Sequence, residues 1–262
     1  MTHGKWSGRV QHSSQDASGM GRWSTLRLEG SSNKIVHLIC AYRVCQSDSQ
    51  IHTSKNTSQA QQRCIMQAKG IHDARPRLQF LKDLSQLIST WRSRHESYII
   101  LLDANNTNED NSTSDWNRFL NTNNLFDVHE CRHGLSEAPP TYNRGKTKID
   151  HILCSSDLVP SIRKCGILPF NHGPVINSDH RALFCDFDST HIFGGKELRA
   201  TPSHPQRHIH SKDLPTKLRY LKHLGKQCFA KNIVDRIDTL ANQPVLSAFD
   251  FMEIDSHDHD IT

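Results

Sequence analysis

Apolar and polar positions first fall into a pattern at Trp23–Leu28, where WSTLRL alternates and predicts a strand; residues 1–21, rich in Gly, Ser, His and Gln, have no period and read as loop or disorder. Ile35–Ala41 (IVHLICA) predicts a second, more buried strand, joined to the first by the hairpin-like stretch Glu29–Asn33. The polar segment Gln46–Gly70 is an excursion with room for one short helix. From Pro76 to His95, Leu78, Leu81, Leu84, Leu87, Ile88 and Trp91 recur at three- and four-residue steps, which predicts a helix with a proline tolerated near its start. It leads into Tyr98–Leu102 (YIILL), a short run with the character of a strand buried on both faces.

A turn-rich loop, Asp103–Ser114, precedes a short helix over Asp115–Asn121 with a stripe of Trp116, Phe119 and Leu120. Strands are expected at Ile149–Cys154, Ile162–Leu168 and Ala182–Phe187. A helix set among apolar strands that end in polar, acidic loops implies layered α/β packing around a sheet core. Beyond Ser189, residues 201–210 read as a linker, and Leu214–Leu240 carries a helical period through Leu218, Leu221, Leu224, Phe229, Ile233 and Ile237. The organisation expected is therefore an N-terminal loop (1–22), an α/β domain (23–189), and a linker with a helical appendage (190–262). The closing His257–Asp260 reads as an acidic tail.

Composition narrows the class. A mean hydropathy of −0.63 and 35% hydrophobic residues are low for a fully packed chain of 262 residues. No apolar run reaches the roughly 20 residues of a membrane span, and the N-terminus lacks the apolar segment of a secretory signal. An intracellular protein, nuclear or cytoplasmic, with no membrane partner is the expectation. The eight cysteines form no CxxC pair, and Cys40, Cys154 and Cys185 lie in apolar runs, which predicts reduced, buried thiols. The net charge of +5 is uneven. Residues 1–102 hold 14 Lys and Arg against 6 Asp and Glu, and residues 103–189 hold 8 against 12. A basic segment beside an acidic centre suits a polyanion handled through Mg²⁺ or Mn²⁺.

The candidate chemistry lies at strand ends. Tyr42-Arg43 follows IVHLICA; Asp103, with Asn105 two positions on, follows YIILL; Asp150 sits in Ile149-Asp150-His151; and Asp179-His180 enters the last strand. Carboxylates are hard oxygen ligands, an imidazole can move a proton to or from water or phosphate, and an amide can hydrogen-bond a phosphate oxygen.

With these residues in view, the sequence resembles the endonuclease/exonuclease/phosphatase family, whose fold is the DNase I-like layered α/β sandwich. The matching stretches are AYR (Ala41–Arg43), ILLDANN (Ile100–Asn106), KIDHIL (Lys148–Leu153) and SDHRAL (Ser178–Leu183), and the likeness spans Trp23–Phe187. Within that family it is most similar to endonuclease domains of non-LTR retroelements, which continue into a reverse transcriptase. The resemblance implies a magnesium-dependent DNA endonuclease in which Asp179 holds the metal and His180 contacts the scissile phosphate. Asp150 would orient His180, Asp103 would position or deprotonate the water, and Asn105 and Tyr42 would hydrogen-bond the phosphate. The likeness covers the C-terminal part of the family's domain only. A metal-ligating glutamate that the family places ahead of the Tyr42 strand has no counterpart here, so a truncated chain with an incomplete metal site and impaired activity is the expectation. The alternatives are a catalytically inactive remnant that binds nucleic acid, and a phosphatase of the same fold.

Overall fold

The alternating and fully apolar segments form the strands they predict. The structure, a computed structural model, describes residues 4–45, 57–106, 114–134, 138–170, 178–195 and 214–242. Two compact units are present: residues 1–46 with 75–201, and residues 47–74 with 202–262. The polar excursion thus groups with the C-terminal helices.

The larger unit is built on a six-stranded sheet in the order β1-β2-β3-β4-β6-β5. Its strands are β1 (Val10–Gln15), β2 (Trp23–Glu29), β3 (Ile35–Tyr42), β4 (Ser97–Asp103), β5 (Leu125–Asp127) and β6 (Asp150–Ser155). β3 and β4 are parallel, joined through helix α2 (Pro76–Ser93), and the other pairs are antiparallel. A parallel pair needs such a crossover, and Pro76 opens the helix where its missing N–H costs nothing.

One face of the sheet packs on α2 and α3 (Asp115–Thr122), with Ile39, Leu84, Ile88, Ile100 and Leu153 fully buried. Each such side chain contributes about 1.5–3 kcal/mol of burial. The other face carries Val36, Ile99, Ile152 and Cys154 and packs with a ribbon of β7 (Ile162–Ile167) and β8 (Leu183–Phe187), and with α5 (Ser189–Phe193). Helices, sheet and ribbon make the layered mixed α/β arrangement expected.

The structure also departs from the sequence reading. β1 lies in the segment read as loop, because an edge strand needs no apolar period. All of it past Val10 is exposed, and it is held by ladder bonds and by Ser14 Oγ against Thr25 Oγ1 at 2.6 Å. Cys40 is exposed rather than buried, since its face of β3 is incompletely covered there; Cys154 is buried, Cys185 is half-buried, and all eight thiols are free. β5 and α4 (Val128–His133) escaped the reading, being only three and six residues long.

The smaller unit holds α1 (Ser58–Ala68), α6 (Leu214–Ala230) and α7 (Ile233–Ala241). The single period read over 214–240 is broken at Asn232, which takes a left-handed conformation (φ 52°). Residues 201–210 and the His257–Asp260 tail lie outside the described residues. Among the described residues no helix is long and apolar enough to cross a membrane.

Candidate active site

Strand register assembles the site. Tyr42, the last residue of β3, stands opposite Asp103, the last of β4, and Asp103 stands opposite Asp150, the first of β6. Residues in register share a face, so three strand ends place Tyr42, Asp103 and Asp150 in one row. The fourth member arrives from the loop before β8. His180 forms an isolated bridge with Tyr142, Asn143 N–H donates to the Asp179 carbonyl at 2.9 Å, and Arg181 N–H to Thr141 at 2.7 Å. This clamp delivers the imidazole to Asp150, with His180 Nδ1 at 2.9 Å from Asp150 Oδ2.

Asp103, Asp150 and His180 each bring a ligand atom to a common spot, all within 4.8 Å of one another. Burial, and then the neighbouring Asp150 charge, hold the Asp103 carboxyl above the usual carboxylate range. Desolvation pulls the His180 imidazole down. The hydrogen bond and charge of Asp150, with Asp103 and Asp179 beyond it, outweigh that and raise it above the ordinary histidine value. Asp150 Oδ1 makes no hydrogen bond among the described residues. Two close carboxylates with spare oxygens fit a hard divalent cation.

The other candidates are placed differently. Asp179 is exposed, and its carboxylate is outside the group formed by Asp103, Asp150 and His180. Tyr42 is 38% exposed with its hydroxyl 3.8 Å from Cys45 Sγ; burial of the ring, then Cys45 and Asp103, push the phenol up to about 12. Asn105 has a left-handed backbone (φ 46°). Its amide donates to the Arg43 carbonyl at 2.8 Å, while its Oδ1 accepts from the Cys45 thiol at 3.1 Å. The carboxamide expected on phosphate therefore fastens the end of β3 to the end of β4.

A second network braces these loops. Arg77, on the first turn of α2, donates to the carbonyls of Val44 (2.5 Å) and Asn105 (3.0 Å) and to Asn106 Oδ1 (3.4 Å). Arg43 donates to Asn106 Oδ1 and to the Arg77 carbonyl; burial, then the Arg77 charge, lower its guanidinium to about 9. On the opposite face of β6 from Asp150, His151 Nδ1 meets Asp127 Oδ2 at 2.7 Å and Nε2 meets the Asn106 carbonyl at 3.0 Å. Lys148 Nζ also donates to Asp127 and lies 3.8 Å from Glu130. Asp127, Glu130 and His151 have metal-ligand spacing, but the Lys148 ammonium already supplies the cation there.

No protein-family model and no curated protein matches the chain. Some solved structures are distantly similar to it in fold. A 3′ phosphatase from Neisseria bound to a product DNA hairpin is 16% identical with a TM-score of 0.47, over 68% of this chain and 71% of that one. The APE2 catalytic domain of Xenopus laevis is 15% identical with a TM-score of 0.48, over 75% of this chain and 70% of that one. The human Nocturnin catalytic domain is 18% identical with a TM-score of 0.42 over 64% of this chain, which spans 53% of its length.

Proposed function

We propose that the chain is a divalent-metal-dependent phosphodiesterase acting on DNA, of the endonuclease lineage found in retroelements beside a reverse transcriptase. The observation that carries the reading is the row Tyr42–Asp103–Asp150 across three strand ends, capped by His180 on Asp150. The order of KIDHIL and SDHRAL along the chain supports the lineage.

With Nδ1 committed to an acceptor-only carboxylate, that nitrogen keeps its proton and Nε2 is the working atom. The raised basicity favours the charged ring, so Nε2–H donates to a phosphate oxygen as charge builds on it. Asp150 holds the ring's orientation and stabilises its charge. Asp103, kept less acidic by burial and by Asp150, orients the attacking water and takes its proton. The phenol of Tyr42 stays protonated at neutral pH and donates to the same phosphate. Asp103 and Asp150 are the residues that would hold Mg²⁺ or Mn²⁺, the exposed Asp179 outside their group being the alternative carboxylate, and such an ion would supply charge neutralisation at the phosphate.

One observation favours a second reading, a chain that binds nucleic acid without cutting it: Asn105 turns its carboxamide toward the Arg43 carbonyl and the Cys45 thiol, each through one hydrogen bond. Relaxation of supercoiled plasmid separates the two. Nicking that requires Mg²⁺ or Mn²⁺ and disappears in His180→Ala and Asp150→Asn is the expected result. Retained DNA binding without nicking in either metal would replace hydrolysis with the second reading, and nicking unaffected by both substitutions would remove the site altogether.

A further inference from the structure

Helix α6 contains Lys217, Arg219, Lys222 and Lys226 and no Asp or Glu across its 17 residues. Arg219, Lys222, His223 and Lys226 recur at steps of three and four and so share one face. Leu224 and Cys228, half-buried, occupy the opposite face, and α6 packs on α7, where Ile233 and Leu240 are buried. All four members of the basic face are exposed, and none forms an ion pair among the described residues.

A solvated helix face ordinarily interleaves the two signs, because Glu-to-Lys pairs one turn apart stabilise by a few tenths of a kcal/mol and like pairs cost as much. Here Arg219–Lys222 and Lys222–Lys226 are like pairs, with no carboxylate in the helix to offset them. A polyanion would repay that cost. From Arg219 to Lys226 the face runs about 10 Å along the axis, the rise of about three nucleotides on one strand.

We propose that α6 is a nucleic-acid contact separate from the hydrolytic site, binding the phosphodiester backbone through Arg219, Lys222 and Lys226 without reading bases. It lies in the smaller unit and holds whether or not the chain cleaves. The exposed Leu214, Leu218 and Leu221 raise a lipid surface as the competitor; Leu218 lies one turn before Lys222, at the border of the basic face, and the test below separates the two.

The test measures binding of the full chain to a short fluorescein-labelled duplex in EDTA, as a function of NaCl, beside the variant R219Q/K222Q/K226Q. Glutamine keeps helix propensity, and circular dichroism verifies the fold. The expected result is a salt slope of log Kobs shallower by about 2.7, that is 0.9 for each of three lost phosphate contacts, and the same weakening on unrelated sequences. Binding is read in EDTA, where metal-dependent nicking does not proceed, so a negative plasmid assay leaves this result standing and failure of the hydrolytic reading is told apart from failure of this one. A slope identical in the variant overturns the proposal. So does binding to phosphatidylserine vesicles that is lost in Leu218→Ser while DNA binding is untouched by the triple substitution.

Discussion

Arg77 donates through Nη2 to the carbonyl oxygen of Asn105 at 3.0 Å. Nη1 of the same side chain holds the Val44 carbonyl, so one planar fork ties together the loops that follow β3 and β4. Asn105 takes a positive φ, which asparagine adopts more readily than other non-glycine residues, and Arg77 holds the carbonyl that this turn presents. Arg77→Ala is expected to cost about 2–3 kcal/mol, the size of charged hydrogen bonds lost to buried acceptors. Hydrogen exchange at residues 42–45 and 104–106 should quicken well before global unfolding. Arg77→Lys keeps the charge but not the fork and should restore only part of the protection. Unchanged exchange in Arg77→Ala would show that the loops hold themselves.

The His180–Asp150 pair sets a pH dependence. A histidine whose basicity is raised by folding contributes stability fully present below its unfolded pKa of about 6.5 and lost as pH rises through the higher folded value. Asp150→Asn removes the main cause of the rise. Urea melts of wild type and variant are therefore expected to differ most at pH 5–6 and to converge at alkaline pH, and the His180 ring protons should titrate at lower pH in the variant. A gap that widens on going alkaline would contradict the pair's assignment.

Asp127 works in the opposite sense. Despite deep burial, its bonds to His151 and the charge of Lys148 bring its carboxyl down to about 2. A depressed carboxyl contributes stability present above the unfolded value near 3.8 and lost as pH falls through the folded one. The loss is on the order of 2 kcal/mol between pH 4 and 2. Acid unfolding monitored by fluorescence should show that component in the wild type. Asp127→Asn, already missing the charge, should be less stable at pH 7 and lose less on acidification.

Gly30 occupies the turn between β2 and β3, where an added Cβ would lie 2.7 Å from the Phe193 carbonyl oxygen and 2.8 Å from its Cα. Those are backbone atoms of α5 that cannot swing away. Ser31 N–H also donates to the same carbonyl at 2.8 Å, so any retreat breaks this bond. Gly30→Ala should cost about 1–3 kcal/mol as overpacking, read as a lowered Tm. A Tm equal to wild type would mean that α5 is free to shift.

The strands and α2 were legible because burial on one or both faces leaves an apolar period, and that period also located the ends where Tyr42 and Asp103 close strands, Asp150 opens one and His180 precedes another. What surrounds them was not. β1 has no period to read, as neither of its faces is buried. Asp127 had one local signal, an aspartate three residues before Glu130 at a helix start, and it does cap α4 through His129 N–H and Glu130 N–H. Nothing local tells that its other oxygen reaches His151 and Lys148, more than 20 residues on. Arg43 and Arg77, 34 residues apart, meet only because α2 returns the chain to the end of β3. The resemblance puts Asn105 on phosphate, and neither it nor the spacing to Asp103 carries information on the turn that aims its amide at Arg43.

Metal binding gives the last expectation. Asp103 and Asp150 are adjacent in register, and their repulsion contributes to the raised pKa of Asp103. A divalent cation that neutralises both carboxylates binds the folded chain and not the unfolded one, so it should raise Tm with concentration, by RT ln(1 + [M]/Kd) in free energy. Mg²⁺ and Mn²⁺ are expected to stabilise the wild type, while K⁺ at equal ionic strength controls for screening. Asp103→Asn relieves the repulsion, so it should raise the Tm of the metal-free chain and abolish the metal-dependent increment together. Opposite movements in a single variant are hard to obtain from a general loss of structure. A Tm increment that persists in Asp103→Asn would place the cation elsewhere, with the exposed Asp179 as the next carboxylate to replace.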